Sequence, residues 1–268
     1  MFNLSKKENK IILGIISFLV GLMLILLEYF MGAEWLKFTT YLVNITGSIF
    51  LFIGLVCFYL AFKKGDKKLT VRQMTLVGIM SSLSVILYYF IKFNLPFFPP
   101  WLDIQVSEIP ALITGFAYGP YAGVLVIFIR FVVKLPATIT AGVGEAADLI
   151  LSSALVCVSS LMYKRNRTIK GALLGTIIGV IACTILSIFV NWFILIPAYV
   201  NIAHFPLPAL SGMLSETLGK NVTPENFMFY YLLFGVLPFN FLRYVLVAVF
   251  TFLLYKRTHM ILKRLSKR

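Results

Sequence analysis

The sequence contains few of the residues that build metal sites and catalytic triads. Its 268 residues include two histidines and three cysteines. Cys57, Cys157 and Cys183 all fall inside apolar runs, where cysteine behaves as a small buried residue. Neither His204 nor His259 has another His or Cys at ligand spacing. The sequence therefore predicts no metal site, and no Ser–His–Asp or HExxH arrangement indicates a hydrolase.

Nucleotide-binding loops are also missing from the sequence. The stretch GMLSETLGKN at 212–221 has six residues between its glycines, more than a phosphate-binding loop has, and Asn221 replaces the required Ser or Thr. The stretch GVGEAAD at 142–148 lacks the third glycine of a dinucleotide fingerprint. These absences argue against an ATPase or a dinucleotide-dependent enzyme. We expect no catalytic residues and no cofactor.

Charged residues are scarce as well, at 13% of the chain, whereas hydrophobic residues make up 60%. The mean hydropathy is +0.94. This composition is typical of a membrane protein, and runs of about 20 apolar residues can cross a bilayer as helices. Such runs fall at about 11–31, 41–62, 74–93, 143–163, 171–197 and 228–254. The formal charge of +14 lies beside these runs, which indicates the lipid bilayer as a partner and not nucleic acid.

The segment 110–134 decides the predicted topology. It is split by Gly119-Pro120, and a proline inside a helix usually kinks or ends it. Most of the 24 Lys and Arg form four basic clusters, at 6–10, 63–72, 164–170 and 256–268. The positive-inside rule places all four in the cytoplasm only if 110–134 forms two short helices, each of about 12 residues. We therefore predict an all-α multi-pass protein of the cell membrane with this broken helix pair and with both termini cytoplasmic.

A break in composition at 63–73 divides the chain into four predicted parts. These are an N-terminal transmembrane hairpin at 1–62, a basic cytoplasmic linker at 63–73, a six-helix membrane domain at 74–258 and a basic tail at 259–268. The hairpin is expected to be an accessory element beside the six-helix body. The predicted outer loops of the body are 94–109, 135–142 and 198–227.

Polar side chains inside the apolar runs mark candidate sites, because such groups are costly at membrane depth. Asn240 and Arg243 are three residues apart and share a helix face, and we expect them to contact a ligand. Glu145 and Asp148 have the same spacing near a helix N-terminus, where they either cap the helix or contact the ligand. Arg130 is expected to form a buried ion pair with one of these two carboxylates.

The loop FNLPFFPPWLDIQVSEIPA at 93–111 is rigid, aromatic and partly acidic. Its prolines restrict the backbone, which lowers the entropy lost when a loop closes over a ligand. Phe97, Phe98 and Trp101 line a pocket, form an interfacial aromatic belt, or do both, with Trp101 at the headgroups and its neighbours in the pocket. We predict that this loop, including Asp103, is the lid and rim of an outward-facing pocket.

Residues 70–258 resemble the substrate-binding S components of energy-coupling-factor (ECF) vitamin importers, in particular the riboflavin type. The matching pieces are LPFFPPWLDIQVSEIPALITGFAYGPYAGVL, GVGEAADLI, NWFILIPAY and LPFNFLRYVLVAVFTFLLYKR. The resemblance implies a six-helix domain that binds a vitamin near its outer face and has no ATPase. It also implies partners, namely a transmembrane coupling protein and two ATPase subunits. The ligand that it implies is riboflavin or a close flavin.

The resemblance also assigns roles to residues. Riboflavin members recognise the flavin ring with a Pro-Phe-Asn-x-x-Lys element, to which Asn240 and Arg243 correspond. Arg243 stands where lysine is expected, which changes the donor geometry. Asp148 stands where asparagine is common. Glu145, Asp148 and Asn191 are candidate partners for the ribityl hydroxyls.

Small residues on the first helix of the body correspond to the family's contact with the coupling protein. Gly78 and Ser82 are four residues apart, a spacing that lets two helices approach closely. A helix contact inside the body would require the same spacing.

Other functions stay open on the sequence alone. The chain could be an S component for another vitamin or precursor, an autonomous secondary transporter, or a membrane enzyme acting on a lipid or isoprenoid. A secondary transporter usually needs several buried carboxylates for a coupled ion, and only Glu145 and Asp148 qualify. Uptake that depends on ATP and a coupling protein would separate an S component from a secondary transporter.

Overall fold

The computed structural model describes residues 69–138, 142–201 and 204–266. These residues belong to one compact unit, Leu69–Arg268. The N-terminal hairpin predicted at 1–62, and the part of the predicted linker before residue 69, lie outside the described residues.

Helices build most of the described fold. They are α1 (Val71–Phe90), α2 (Ile109–Tyr118), α3 (Pro120–Lys134), α4 (Val143–Arg165), α5 (Ile169–Val190), α6 (Ile196–Asn201), α7 (Leu207–Leu218), α8 (Phe227–Tyr230) and α9 (Leu237–Ser266). A 3-10 turn, Leu135–Ala137, follows α3. Two π-helical segments, Asn191–Leu195 and Tyr231–Val236, join α5 to α6 and α8 to α9.

Two short strands form a hairpin between α1 and α2. Strand β1 (Lys92–Asn94) pairs antiparallel with β2 (Asp103–Gln105). Lys92 lies opposite Gln105, and Asn94 lies opposite Asp103. The side-chain amide of Asn94 donates to the carbonyl of Pro100 at 2.7 Å, which ties down the proline-rich connection. We call residues 92–105 the 92–105 hairpin.

Five described stretches are long and apolar enough to cross a membrane. They are Val71–Phe90, Pro120–Ala137, Val143–Arg165, Ile169–Val200 and Phe227–Tyr255. With the shorter apolar helix α2 they make six segments, so the prediction of an all-α multi-pass membrane protein is confirmed.

Gly119 separates α2 from α3, as the sequence predicts. Its φ of 98° lies in a region that glycine adopts easily, and Pro120 then begins α3, where its missing N–H costs nothing. The predicted pair of short helices is present, but its two members differ in length. Helix α2 has 10 residues, whereas α3 has 15 and the 3-10 turn extends it to Ala137. Of these two helices, α2 alone is too short to span, because the apolar run of α3 continues through the 3-10 turn to Ala137.

Helix α2 occupies the centre of the bundle, where it contacts α1, α3, α4 and α9. Helices α4 and α5 form the most extensive pair. Their close approach requires a small residue, since a Cβ atom on Gly175 would lie 2.8 Å from the carbonyl oxygen of Ser159. Leu112, Leu155 and Val247 have no exposed surface and bring α2, α4 and α9 into one core.

Besides the 3-10 turn Leu135–Ala137, two larger elements lie in segments that the sequence predicts as loops. The 92–105 hairpin overlaps the predicted loop 94–109, and α7 lies within 198–227. Helix α7 buries Leu210 and Leu214. It ends at Gly219, whose φ of 62° is left-handed. Its 12 residues are too few for a span, so a search for transmembrane runs does not reveal it.

Candidate functional site

A buried set of ion pairs lies at the end of the bundle that carries the 92–105 hairpin. Asp148 is its centre. The carboxylate of Asp148 lies 2.9 Å from Arg130, 3.0 Å from Lys134 and 2.6 Å from Arg243, measured to the cationic nitrogens. Arg243 also pairs with Glu108. We call these five residues the ion cluster, and no side chain in it is more than 10% exposed.

The fold brings the ion cluster together from distant parts of the sequence. Arg130 and Lys134 are four residues apart on α3 and therefore share a face. Glu108 directly precedes α2, Asp148 lies near the start of α4, and Arg243 lies on α9. The sequence predicts a buried ion pair between Arg130 and either Glu145 or Asp148, and in the structure the partner is Asp148.

Neutral polar side chains support the carboxylates of the cluster. The amide of Gln105 donates to Asp148 at 3.1 Å. The hydroxyl of Ser152 donates to Glu108 at 3.1 Å and accepts from Arg130 at 3.0 Å. Hydrogen bonds to charged groups are stronger than neutral ones, and they strengthen further in a low-dielectric interior. These contacts therefore hold the ion cluster in one arrangement.

Three atoms of the ion cluster have no hydrogen-bond partner among the described residues. They are Oε2 of Glu108, Nε of Arg130 and Nε of Arg243. The first is an acceptor and the other two are donors. A buried polar atom without a partner is destabilising, typically by about 1–3 kcal/mol. A ligand that supplied one donor and two acceptors would complement these atoms in kind.

A second set of contacts joins the 92–105 hairpin to the two π-helical segments. The indole N–H of Trp101 donates to the hydroxyl of Tyr231 at 3.4 Å, and that hydroxyl donates to Oδ1 of Asn191 at 2.9 Å. The amide of Asn191 donates in turn to the carbonyl of Ser187 at 2.8 Å. We call Trp101, Tyr231 and Asn191 the aromatic relay. Each π-helical segment contributes its first residue to it, and π-helices are frequent at functional sites.

Asn240 lies about one turn before Arg243 on α9, and both side chains are buried. The amide nitrogen of Asn240 donates to the carbonyl of Val236 at 2.9 Å. The predicted shared face is therefore present, and in this structure Asn240 bonds to its own helix while Arg243 bonds to carboxylates.

The aromatic residues of the predicted lid have different environments. Phe98 is buried and packs edge-on against Phe239, with ring centroids 5.4 Å apart. Trp101 is half-buried in the aromatic relay. Phe97 contacts Phe98 but is 56% exposed. The lid therefore has an inward aromatic side and an outward one.

Asp103 and Glu145 make contacts of a different kind. Asp103 pairs with Lys92 at 3.2 Å on the 92–105 hairpin, where both side chains are partly exposed. Glu145 accepts from the hydroxyl of Thr138 at 2.8 Å. Helix capping does not account for Asp148, because its carboxylate binds three cations.

Gly78 and Ser82 lie on an exposed face of α1. A Cβ atom on Gly78 would have no heavy atom within 4 Å, and the Ser82 hydroxyl donates to the Gly78 carbonyl at 3.1 Å. Among the described residues, this face is not used for packing inside the body.

Sequence reasoning missed three residues of the site. Lys134 follows Arg130 by four residues, and this spacing was a usable signal because it puts both cations on one face. Glu108 was assigned only to the outer loop region. Tyr231 lies inside an apolar run, and nothing in its sequence neighbourhood marks the π-helical segment that positions it.

The geometry of this bundle agrees with a comparison against known families. A family profile described as "ECF transporter, substrate-specific component" matches residues 72–255, which is more than half of the chain. The chain belongs to this family. It is therefore a component of a membrane transporter and not an enzyme.

Two curated relatives of this S component are riboflavin transporters by name. "Riboflavin transporter RibU" of Staphylococcus aureus (strain TCH60) is 29% identical over 203 residues, which cover 75% of this chain and 99% of the relative. "Riboflavin transporter FmnP" of Bacillus subtilis (strain 168) is 28% identical over 182 residues, which cover 67% of this chain and 87% of the relative.

A solved structure shows that the similarity extends to the fold. It is described as "Structure and mechanism of the S component of a bacterial ECF transporter" and is 26% identical in sequence. The TM-score is 0.56, and the match covers 72% of this chain and 98% of the solved chain.

Proposed function

We propose that this S component binds riboflavin or a close flavin at the end of the bundle that carries the 92–105 hairpin. The observation that carries the proposal is the ion cluster, in which Glu108, Arg130 and Arg243 each keep one buried atom without a partner among the described residues. The names of the relatives from Staphylococcus aureus and Bacillus subtilis support the same ligand.

The chemistry of the flavin edge matches these three atoms. An isoalloxazine presents two carbonyl oxygens on either side of an N–H group, which are two acceptors and one donor. The ion cluster offers the complementary set, an acceptor on Glu108 and donors on Arg130 and Arg243. The Asn240 amide, which can donate and accept, lies about one turn from Arg243 on the same helix.

The apolar face of a flavin needs aromatic surface. Phe98 and Trp101 offer such surface on the hairpin, with Phe97 and Asp103 at its rim. The ribityl chain needs separate polar partners, and we assign Asn191, Glu145 and Asp148 to it. In this assignment the 92–105 hairpin closes the pocket, and its hydrogen-bonded turns reduce the entropy lost on closure.

We further propose an orientation and a coupling route. The basic cluster at 164–170 lies at the end of the bundle away from the 92–105 hairpin, so the positive-inside rule places the 92–105 hairpin outside. The basic clusters near the two termini follow the same rule, and both termini are therefore inside. The exposed face with Gly78 and Ser82 meets the transmembrane coupling protein. In this route two ATPase subunits supply the energy, as the resemblance to ECF vitamin importers implies. The domain at 74–258 carries the ligand, and the hairpin at 1–62 is accessory.

The first experiment is spectroscopic. The full chain is purified in detergent without added ligand, and its visible absorbance and flavin fluorescence are recorded before and after denaturation. We expect a stoichiometric flavin spectrum that denaturation releases, or quenching of riboflavin added to the empty protein. A colourless protein that leaves added riboflavin fluorescent would exclude a flavin as the ligand, and the chain would then be an S component for another vitamin.

A second experiment tests the coupling. Uptake of riboflavin is measured in vesicles that contain the chain with or without a coupling protein and its ATPases. We expect uptake only with the complete complex and ATP. Uptake by the chain alone, driven by an ion gradient, would identify a secondary transporter instead.

A further inference from the structure

A small cleft lies at the end of the bundle opposite the ion cluster. Its volume is about 170 Å³. It lies between the start of α1, the last turn of α2 and the end of α4. The side chains that matter here are Gln73, Ser160, Lys164 and Arg167. Neither the proposed flavin site nor the exposed face with Gly78 and Ser82 uses any of them.

The cleft is rich in hydrogen-bond donors. Lys164 and Arg167 bring two cations to its rim, and no carboxylate is among the described residues that line it. Ser160 is 1% exposed, and its hydroxyl has no partner in the described part of the chain. The side-chain oxygen of Gln73 accepts from the N–H of Thr70 at 2.9 Å, so the amide NH₂ is the part that can donate.

One residue that lines the cleft, Phe116, also carries a backbone acceptor without its helical partner. Phe116 lies in the last turn of α2, and the donor that would bond its carbonyl within a continuous helix is residue 120. Residue 120 is proline, which has no N–H, so this carbonyl lacks its helical partner. A ligand that fits the cleft therefore combines an anion, which Lys164 and Arg167 attract, with hydroxyl groups that can donate to carbonyls.

We propose that this cleft binds the headgroup of an anionic phospholipid that carries a phosphate diester and free hydroxyls. It lies at the ends of two candidate spans, Val71–Phe90 and Val143–Arg165, and this is the depth at which headgroups lie. Basic pockets between membrane helices bind anionic headgroups. The volume of about 170 Å³ holds a phosphate and a few further atoms, whereas pockets for complete small molecules measure about 300–1,000 Å³. The cleft is thus too small for a nucleotide or a flavin.

Lipid binding to the full chain tests this proposal. The purified protein in detergent is titrated with phosphatidylglycerol or phosphatidylcholine, and bound lipid is counted by native mass spectrometry. We expect tight binding of one phosphatidylglycerol and weak binding of phosphatidylcholine. The double variant Lys164→Gln/Arg167→Gln should bind phosphatidylglycerol roughly 25-fold more weakly, because each cation near a headgroup contributes about fivefold.

Two further variants distinguish specific lipid binding in the cleft from a general attraction of anionic lipid to the basic surface. Arg165→Gln/Lys170→Gln removes the same amount of charge from the same basic cluster at 164–170, but neither residue lines the cleft. We expect this control to bind phosphatidylglycerol within twofold of the unmodified chain. Ser160→Ala removes the buried hydroxyl without changing the charge, and it should weaken binding roughly two- to tenfold. Melting temperatures are compared to show that every variant is folded.

Four results would overturn the proposal. Equal losses in the double variant and its control would indicate general surface charge, and equal binding of the two lipids would exclude recognition of an anion. Displacement of phosphatidylglycerol by inorganic phosphate alone would identify a soluble phosphate as the ligand. A double variant that binds lipid normally but no longer transports with a coupling protein would identify a protein contact.

Discussion

Asp148 is the centre of the ion cluster, and we expect the substitution Asp148→Asn to destabilise the protein strongly. Asparagine keeps the shape of the side chain but removes the charge that Arg130, Lys134 and Arg243 share. Breaking a buried ion pair by removing one partner typically costs about 3–5 kcal/mol, because the remaining charge stays buried. A domain of this size loses about 2–4 °C per kcal/mol, so we expect the melting temperature to fall by roughly 6–20 °C.

Thermal unfolding of the detergent-purified chain measures this loss. The control is Glu216→Gln on α7, which makes the same carboxylate-to-amide change on an exposed side chain. It should shift the melting temperature by less than about 2 °C, since exposed substitutions change stability by about 0.5 kcal/mol or less.

A compensating substitution tests whether charge is the cause. In the unmodified cluster three cations face two carboxylates, and Asp148→Asn leaves three cations facing one. Lys134→Met then removes one cation, so the double variant should melt above Asp148→Asn alone. A single variant that melts within about 2 °C of the unmodified chain would refute the reasoning, and so would strict additivity in the double variant.

Three further substitutions test the proposed site and the coupling face. Asn240→Ala should weaken riboflavin binding roughly tenfold to a hundredfold in a fluorescence titration with the fold retained, and unchanged affinity would show that Asn240 does not face the ligand. Tyr231→Phe should lower the melting temperature by roughly 2–12 °C because it leaves Asn191 without its donor, whereas the control Tyr230→Phe on the neighbouring residue should not. Gly78→Trp should leave binding intact and abolish uptake, whereas Gly212→Trp, at an equally open glycine on α7, should leave both unchanged; uptake that survives Gly78→Trp would place the coupling contact elsewhere.

The sequence predicts the large features of this fold because they depend on composition and spacing. Apolar runs of the right length give the spans. Gly119-Pro120 gives the break between α2 and α3, because one residue tolerates a left-handed backbone and the other cannot continue the preceding helix. The different lengths of α2 and α3 were not predicted, because the positions of the charges indicate on which side of the membrane a segment ends but not how far its helix extends.

The site could be predicted only in part. The three-residue spacing of Asn240 and Arg243 places them on one face, and the helical period alone is enough for that conclusion. The ion cluster instead depends on tertiary packing, since Glu108 and Arg243 are 135 residues apart in the chain. No local pattern states which carboxylate a buried arginine will meet.

The π-helical segment Tyr231–Val236 fixes the rotational phase of α9. A π-helical turn contains one residue more than an α-helical turn, so every side chain that follows it is rotated by about 100° relative to an uninterrupted α-helix. Asn240 and Arg243 lie only a few residues after the end of this segment. Deletion of one residue within 231–236 would therefore turn the guanidinium of Arg243 away from Asp148 while leaving the amino acids of the ion cluster unchanged. The position of the extra residue in the π-helical segment therefore decides toward which neighbours Asn240 and Arg243 point, even when the polar residues themselves are unchanged.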